Sequence, residues 1–270
     1  SHAFIIFLLS WNSRCSNDII ILSHLSVRRM IKKIMNEFVI LGHRGYRAKF
    51  VENTIEAFKK AREYGADGIE YDSRLTKDGT LVVLHDDRID NKKLKKLSYE
   101  ELKQIHFKNG ETVPTVEEVI SNLDERAVFN LEIKEVEAAV SSYEITKRMN
   151  AIDRTLFSSF KIDALRKIRS LDKSAKVGLL SEYDTLKYVD ELNNEIDLYS
   201  LNLGIEALKD DIELSKELLH KWKEKGFKIF LWTVNDPKDL HTFKGLYDGI
   251  ITDEVEKIVE VRKQIAKEKL

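Results

Sequence analysis

Cysteine is almost missing from the 270 residues: Cys15 stands alone, upstream of every segment with recognisable chemistry. The remainder therefore has no thiol for a disulfide, a zinc knuckle or a cysteine nucleophile, and any metal must be held by oxygen or imidazole. Glutamine is nearly absent too, with only Gln104 and Gln264 beside abundant Lys and Glu, a balance found among thermophile proteins. Neither sign of charge is in excess, since 45 basic and 46 acidic residues leave a formal net charge of -1. That balance argues against a nucleic-acid-coating protein, and a 43% hydrophobic content argues against a disordered chain. Low-complexity linkers, sequence repeats and a glycine-rich first βα turn are all lacking.

Long apolar runs are also missing. Phe4 to Leu9 and Ile19 to Leu22 are the apolar stretches of the N-terminal region, and neither would span a bilayer. A secretory signal would place basic residues before its apolar run, whereas Arg28, Arg29, Lys32 and Lys33 come after it. Residues 1–36 therefore read as an extension, a tag remnant or upstream segment with Met30 or Met35 near the natural start; a short membrane-associating leader is the alternative. Without a convincing export signal, the expected location is the cytoplasm, with no stable membrane span.

What is present from Phe38 onward is a regular alternation of short apolar runs with amphipathic helical segments. Strands are expected at Phe38 to Gly42, Gly68 to Asp72, Val128 to Ile133, Leu156 to Ser159, Val177 to Leu180, Leu198 to Asn202, Ile229 to Thr233 and Gly249 to Thr252. Eight is the count a closed (β/α)8 barrel needs, and 270 residues suit one such domain, expected over 37–270. Helix starts are expected at Asn53 with Glu56, Ser98 with Glu101, and Thr115 with Glu118, each at capping-box spacing, and at Asp236 before Pro237. The first helix should bury Ile55, Phe58, Ala61 and Tyr64.

Reactive groups of a parallel barrel gather at the C-terminal ends of its strands. The first strand ends in Gly42-His43-Arg44-Gly45, a base and a fixed cation between glycines. The second reads Gly68-Ile69-Glu70-Tyr71-Asp72, which puts Glu70 and Asp72 on one face. Two like charges there repel unless a cation lies between them. The third carries Glu132 and Lys134 at the same spacing. Three carboxylates from neighbouring strands suit a hard divalent ion, Mg²⁺ or Ca²⁺, with Mn²⁺ also admitted.

After Asp72, the segment Thr76-Lys77-Asp78-Gly79 signals a tight turn and Leu81 to Leu84 an apolar return strand, ending in His85-Asp86. A two-residue Asp78-Gly79 turn would pair Lys77 with Thr80 and set His85 opposite Asp72. Paired imidazoles beside a metal and two cations would suit phosphodiester cleavage: Arg44, Lys134 and the ion would neutralise the phosphoryl oxygens, and the histidines would exchange protons.

In order, His43-Arg44-Gly45, Glu52-Asn53-Thr54, Glu70-Tyr71-Asp72, Thr76-Lys77-Asp78-Gly79, His85-Asp86, Pro114-Thr115, Leu131-Glu132-Ile133-Lys134 and Trp232-Thr233-Val234-Asn235 resemble the signature of the glycerophosphodiester phosphodiesterase family, of the phospholipase C-like superfamily. The resemblance implies a metal-dependent barrel enzyme that hydrolyses a small-molecule glycerophosphodiester to glycerol phosphate and an alcohol. It implies His43 and His85 as the acid/base pair, Glu70, Asp72 and Glu132 as ligands of one divalent cation, and Arg44 and Lys134 as phosphate contacts. Trp232 would wall the substrate, and Glu52 would assist the ion or orient His43, unless it serves only the helix dipole. Which histidine begins as base stays open, as does the oligomeric state.

One departure stands out: the insertion after His85-Asp86 is short, running from Asp87-Arg88-Ile89-Asp90-Asn91 straight into lysines. A reduced lid bears on the leaving-group side and would admit bulkier substrates such as lysophospholipids. The rival readings are a lipid-cleaving phosphodiesterase, of lysophospholipase D, phosphatidylinositol-cleaving or sphingomyelinase D-like type, and a silent barrel used as a binding module.

Overall fold

The computed structural model describes residues 38–181 and 186–268. Cys15 and the expected N-terminal extension lie outside them. Residues 38–261 form the compact unit that carries the barrel.

Eight parallel strands close on themselves: β1 (Val39–His43), β2 (Gly68–Leu75), β6 (Val128–Ile133), β7 (Thr155–Ser159), β8 (Lys176–Ser181), β9 (Ser200–Gly204), β10 (Lys228–Trp232) and β11 (Gly249–Thr252). Closure is made by β1, which pairs with β11 on one side and β2 on the other. The intervening elements are α1 (Ile55–Glu63), the antiparallel strand β3 (Leu81–Val83), the hairpin β4 (Arg88–Ile89) and β5 (Lys92–Lys93), α2 (Tyr99–Leu102) and α3 (Val116–Asn122). They continue with α4 (Ala138–Arg148), α5 (Ile162–Leu171), α6 (Val189–Ile196), α7 (Ile205–Lys209), α8 (Ile212–Glu224), α9 (Pro237–Thr242) and α10 (Val255–Lys267). No described helix is long and apolar enough to cross a membrane.

Burial on both faces explains the near-continuous apolar runs of these strands. Alternate residues Leu41, Leu156, Phe230 and Ile251 meet in one cluster. Because β7 and β11 are diametrically opposed in the strand order, their side chains meet only through the barrel interior, which is therefore packed below the mouth. The other parity faces the helices, where Tyr71 lies edge-on to both Phe58 and Phe129.

The expected strands fall within a residue or two of the observed ones, apart from the end of the second. That strand continues to Leu75 because β3 pairs with its extension. The sixth begins at Ser200 rather than Leu198. Asp197 terminates α6 in the left-handed region, and the Leu198 N–H is taken by Asn193 Oδ1. Three helix starts stand as expected, with full capping boxes at Ser98 and Thr115 and an Asp236 cap before Pro237. The first is corrected: Thr54, not Asn53, caps α1, accepting from the Ala57 N–H. The buried face of α1 is Ala57, Phe58 and Ala61, with Ile55 and Tyr64 half-buried at its edges.

The hairpin register also differs from the expected one. Ser73 pairs with Val83 and Leu75 with Leu81, so the turn has three residues rather than two and Leu84 donates to Asp72 O. Thr76 explains the difference. Its carbonyl accepts from Gly79 and its N–H donates to Thr80 O, while its hydroxyl accepts from the Thr80 N–H. With Gly79 at φ +80°, this is a three-residue loop with a bulge, the common alternative to a two-residue turn. A satellite core of Val82, Leu84, Leu94, Leu97, Leu102 and Val113 fixes the hairpin and the short insertion together.

Candidate active site

Parallel register sets the charged groups side by side. His43 on β1 lies level with Glu70 on β2. On the other side of β2, Glu70 is level with Asn130 and Asp72 with Glu132 on β6. One oxygen from each of Glu70, Asp72 and Glu132 can be chosen so that all lie within 4.8 Å of one another. All three residues are buried.

Two cations face this group. Arg44 stands at φ +52° in the turn after β1 and donates its backbone N–H to Glu70 Oε2 at 3.0 Å. Its Nε is 3.5 Å from Asp72 Oδ2 and its Nη1 is 2.9 Å from Glu52 Oε1. Lys134 Nζ lies 2.7 Å from Glu132 Oε1 and 3.4 Å from Asp72 Oδ1.

Three acids against two cations leave a negative surplus in a buried place. Burial and the charges of Asp72 and Glu132 push the Glu70 carboxyl well above its usual range. Glu132 is raised by burial and by Asp72, against the pull of Lys134. Asp72 stays below its usual value, because Lys134, Arg44 and Asn53 outweigh its burial. Asp72 Oδ1 nonetheless has no hydrogen bond. A buried carboxylate oxygen without a hydrogen bond, a neighbour forced towards protonation and an all-oxygen donor set fit a divalent cation of the Mg²⁺ or Ca²⁺ kind.

His43 and His85 reach the same cleft by different routes. His43 Nδ1 is 2.8 Å from Asp253 Oδ1, and its Nε2 is 3.9 Å from Glu70 Oε2. Asp253 is itself held by Asn235, which donates to Asp253 Oδ2 and accepts from the Asp253 N–H. Burial would raise the Asp253 carboxyl, but the His43 hydrogen bond and charge, with Asn235 and Arg47, hold it at about 2. His85 follows β3, its carbonyl anchored by Arg74 Nε at 2.8 Å and its Nδ1 2.8 Å from Asp86 Oδ1. Although it is not opposite Asp72 in register, its ring lines the mouth, with a side chain 35% exposed. Burial, opposed by Asp72, pulls its pKa below the usual histidine value.

His43, Arg44, Glu70, His85, Glu132, Lys134 and Trp232 thus line one cleft of about 230 Å³. Trp232 ends β10, diametrically opposite β6 in the strand order; its indole N–H donates to Asn202 O, and Phe160 stacks edge-on to it at 5.7 Å. Glu52 sits at the rim, bonded to Arg44 and Arg47, and the His43 ring nitrogen is taken by Asp253 instead.

Sequence reasoning did not single out Asp253 or Asn53. Asp253 directly follows β11, so the rule that directs attention to polar residues at strand ends was the available signal. Asn53 is buried at φ +56° and donates Nδ2 to Asp72 Oδ2 at 2.8 Å, a contact the helix-cap reading concealed.

Comparisons with known proteins agree with this geometry. The model of the glycerophosphoryl diester phosphodiesterase family matches residues 43–257. A glycerophosphodiester phosphodiesterase of Caldanaerobacter subterraneus is 34% identical over 83% of this chain and 97% of its own. The crystal structure of such an enzyme from Thermotoga maritima is 38% identical, with a TM-score of 0.74 over 83% of this chain and 98% of that one. An Oleispira antarctica phosphodiesterase, solved in complex with the product sn-glycerol-3-phosphate, is 25% identical with a TM-score of 0.74, covering 85% and 96% of the two chains. A family model matched across most of the barrel, together with these relatives, places the chain in the glycerophosphoryl diester phosphodiesterase family.

Proposed function

We propose that residues 37–270 hydrolyse a glycerophosphodiester to glycerol phosphate and an alcohol, with one divalent cation held by Glu70, Asp72 and Glu132. The observation that carries this reading is the meeting of Glu70, Glu132, two cations and two imidazoles in one cleft, with a carboxylate oxygen of Asp72 within 4.8 Å of the other two acids, in a chain of this family. When bound, the cation neutralises charge on the phosphoryl oxygens. Arg44 and Lys134 supply further positive charge, Arg44 as a planar fork and Lys134 as a point charge.

His43 acts as the base. With Asp253 accepting from Nδ1–H, Nε2 is left unprotonated to take a proton from the attacking water, whose oxygen forms the new bond to phosphorus, and the carboxylate stabilises the imidazolium that results. His85, nearer the solvent, gives a proton to the departing alcohol oxygen as the P–O bond breaks. The protonated His43 and deprotonated His85 then exchange protons with solvent, which restores both. Trp232 and the half-exposed Phe160 form the apolar side, where the carbon skeleton of the substrate rests.

The test is release of glycerol phosphate from glycerophosphocholine and glycerophosphoethanolamine, with EDTA and with added Mg²⁺, Ca²⁺ or Mn²⁺, beside His43→Ala. Metal-dependent release, lost in the variant by about 10²- to 10⁴-fold in kcat, is expected. No release with any ion would overturn the reading. Phe160 at the mouth also makes a lysophospholipid a rational second substrate, and cleavage of that lipid faster than the small diesters would shift the assignment towards it.

A further inference from the structure

The wall of the cleft changes character round the barrel. The β1, β2 and β6 sector is charged, whereas Leu180, Trp232 and Ile251 from β8, β10 and β11 make an apolar sector. Where these sectors meet, two neutral polar side chains from neighbouring strands line the cleft: Asn130, two residues before Glu132 on β6, and Ser158 on β7, which is level with Glu132. Both residues are fully buried, and Asn130 Nδ2, Asn130 Oδ1 and Ser158 Oγ lack any hydrogen-bond partner.

Such groups are costly. Each buried donor or acceptor left unmade has lost its bonds to water with nothing in return, and an aliphatic residue at either position would avoid the loss. Neighbouring strands nevertheless bring an amide and a hydroxyl to the same cleft, unsatisfied by the protein. Arg44 and Lys134 already supply the positive charge for the phosphoryl group, which leaves this neutral pair to another part of the substrate. An amide offers donors and acceptors together, and a serine hydroxyl does the same; the complement is a group that also donates and accepts, an alcohol.

We propose that Asn130 and Ser158 are the hydroxyl-recognising floor of the cleft and bind a free hydroxyl of the substrate's glycerol group. This rests on the glycerophosphodiester reading and deepens it. The phosphoryl group against Arg44 and Lys134 leaves the glycerol carbons to run towards the apolar sector, with a hydroxyl on the floor between. A site built to pair a substrate hydroxyl discriminates strongly against an analogue that lacks it, because the buried polar groups are then unpaired.

The experiment compares glycerophosphocholine with ethyl phosphocholine, a diester whose ethyl group carries no free hydroxyl, in the metal-supplemented protein and in Ser158→Ala and Asn130→Ala. The wild-type ratio of kcat/KM should favour the glycerol diester, and each variant should shrink that ratio by about 10- to 100-fold. A second arm measures binding of glycerol 3-phosphate and of ethyl phosphate by calorimetry; the preference for the former should weaken in both variants. Ser158→Ala should not lower Tm, since the hydroxyl removed makes no internal hydrogen bond. If wild type cleaves neither diester, the hydrolase reading fails and the calorimetry alone decides the floor. Equal loss on both ligands, or a fall in Tm with the ratio intact, would overturn the proposal and mark the pair as holding structural water.

Discussion

Asp253 shows how one carboxylate sets the chemistry of a histidine 210 residues away. With Asn in its place, the amide can donate to Nδ1 and favour the wrong tautomer, with the proton on Nε2. Asp253→Asn should therefore lower kcat by about 10²- to 10⁴-fold with little change in KM, and a matching loss in KM alone would remove Asp253 from the proton-transfer machinery. The same pair makes a stability prediction with a definite sign. The folded Asp253 carboxyl sits at about 2 against an ordinary 3.8, so its contribution is full above the unfolded value and disappears as pH falls through the folded one. At about 1.4 kcal/mol per pKa unit, the wild type should exceed the variant by about 2 kcal/mol near neutrality through this linkage. Urea titrations should see that gap narrow between pH 4 and pH 2. Single residues were unevenly legible in the sequence. Glu70, Asp72, Glu132 and Lys134 could be read because the two-residue period of a strand fixes which side chains share a face. The position of Asp253 at a strand end was readable, but its partner His43 and the partner of Asn53 were not, because they are supplied by barrel closure and by a left-handed backbone turn.

At the scale of elements, period and punctuation carried most of the fold. Ser98 with Glu101 and Thr115 with Glu118 announced their helices because a capping box is a local device, closed within four residues. The hairpin after Asp72 was legible as a hairpin but not in its register, since the three-residue turn is held by the Thr76 hydroxyl, which accepts from the Thr80 N–H. The turn after β1 is more demanding. Gly45 stands at φ +88°, and a Cβ there would lie 2.7 Å from the Ala57 Cβ and backbone carbon. The approach lets Tyr46 N–H reach Ala57 O and seats the turn that carries Arg44 on α1. Gly45→Ala combines a left-handed backbone strain of about 1–3 kcal/mol with overpacking of about 1–3 kcal/mol. A loss of about 2–6 kcal/mol in chemical denaturation is expected, with weaker phosphate binding because Arg44 moves with the turn. A variant as stable as wild type would show that the turn can shift away from the helix without cost.

For the molecule as a whole, the count of strands and their alternation with helices made the barrel legible, whereas its electrostatic consequence required the closed structure. The pairing of β2 with β6 collects Glu70, Asp72 and Glu132 in a buried place where Arg44 and Lys134 do not balance them, a surplus that the proposed cation would offset. Ion binding should therefore stabilise the whole barrel as well as equip it. A ligand present at about 100 times its Kd adds ~2.7 kcal/mol to the folded state, which for a domain of this size is roughly 5–10 °C in Tm. Mg²⁺ or Ca²⁺ should produce a shift of that order in calorimetry, and EDTA should reverse it. Glu70→Gln removes one ligand and also relieves the like-charge crowding. It should raise the Tm of the metal-free protein relative to wild type and flatten its response to the ion. A wild type whose Tm ignores every divalent ion would sink the metal assignment for this carboxylate group, whatever its activity.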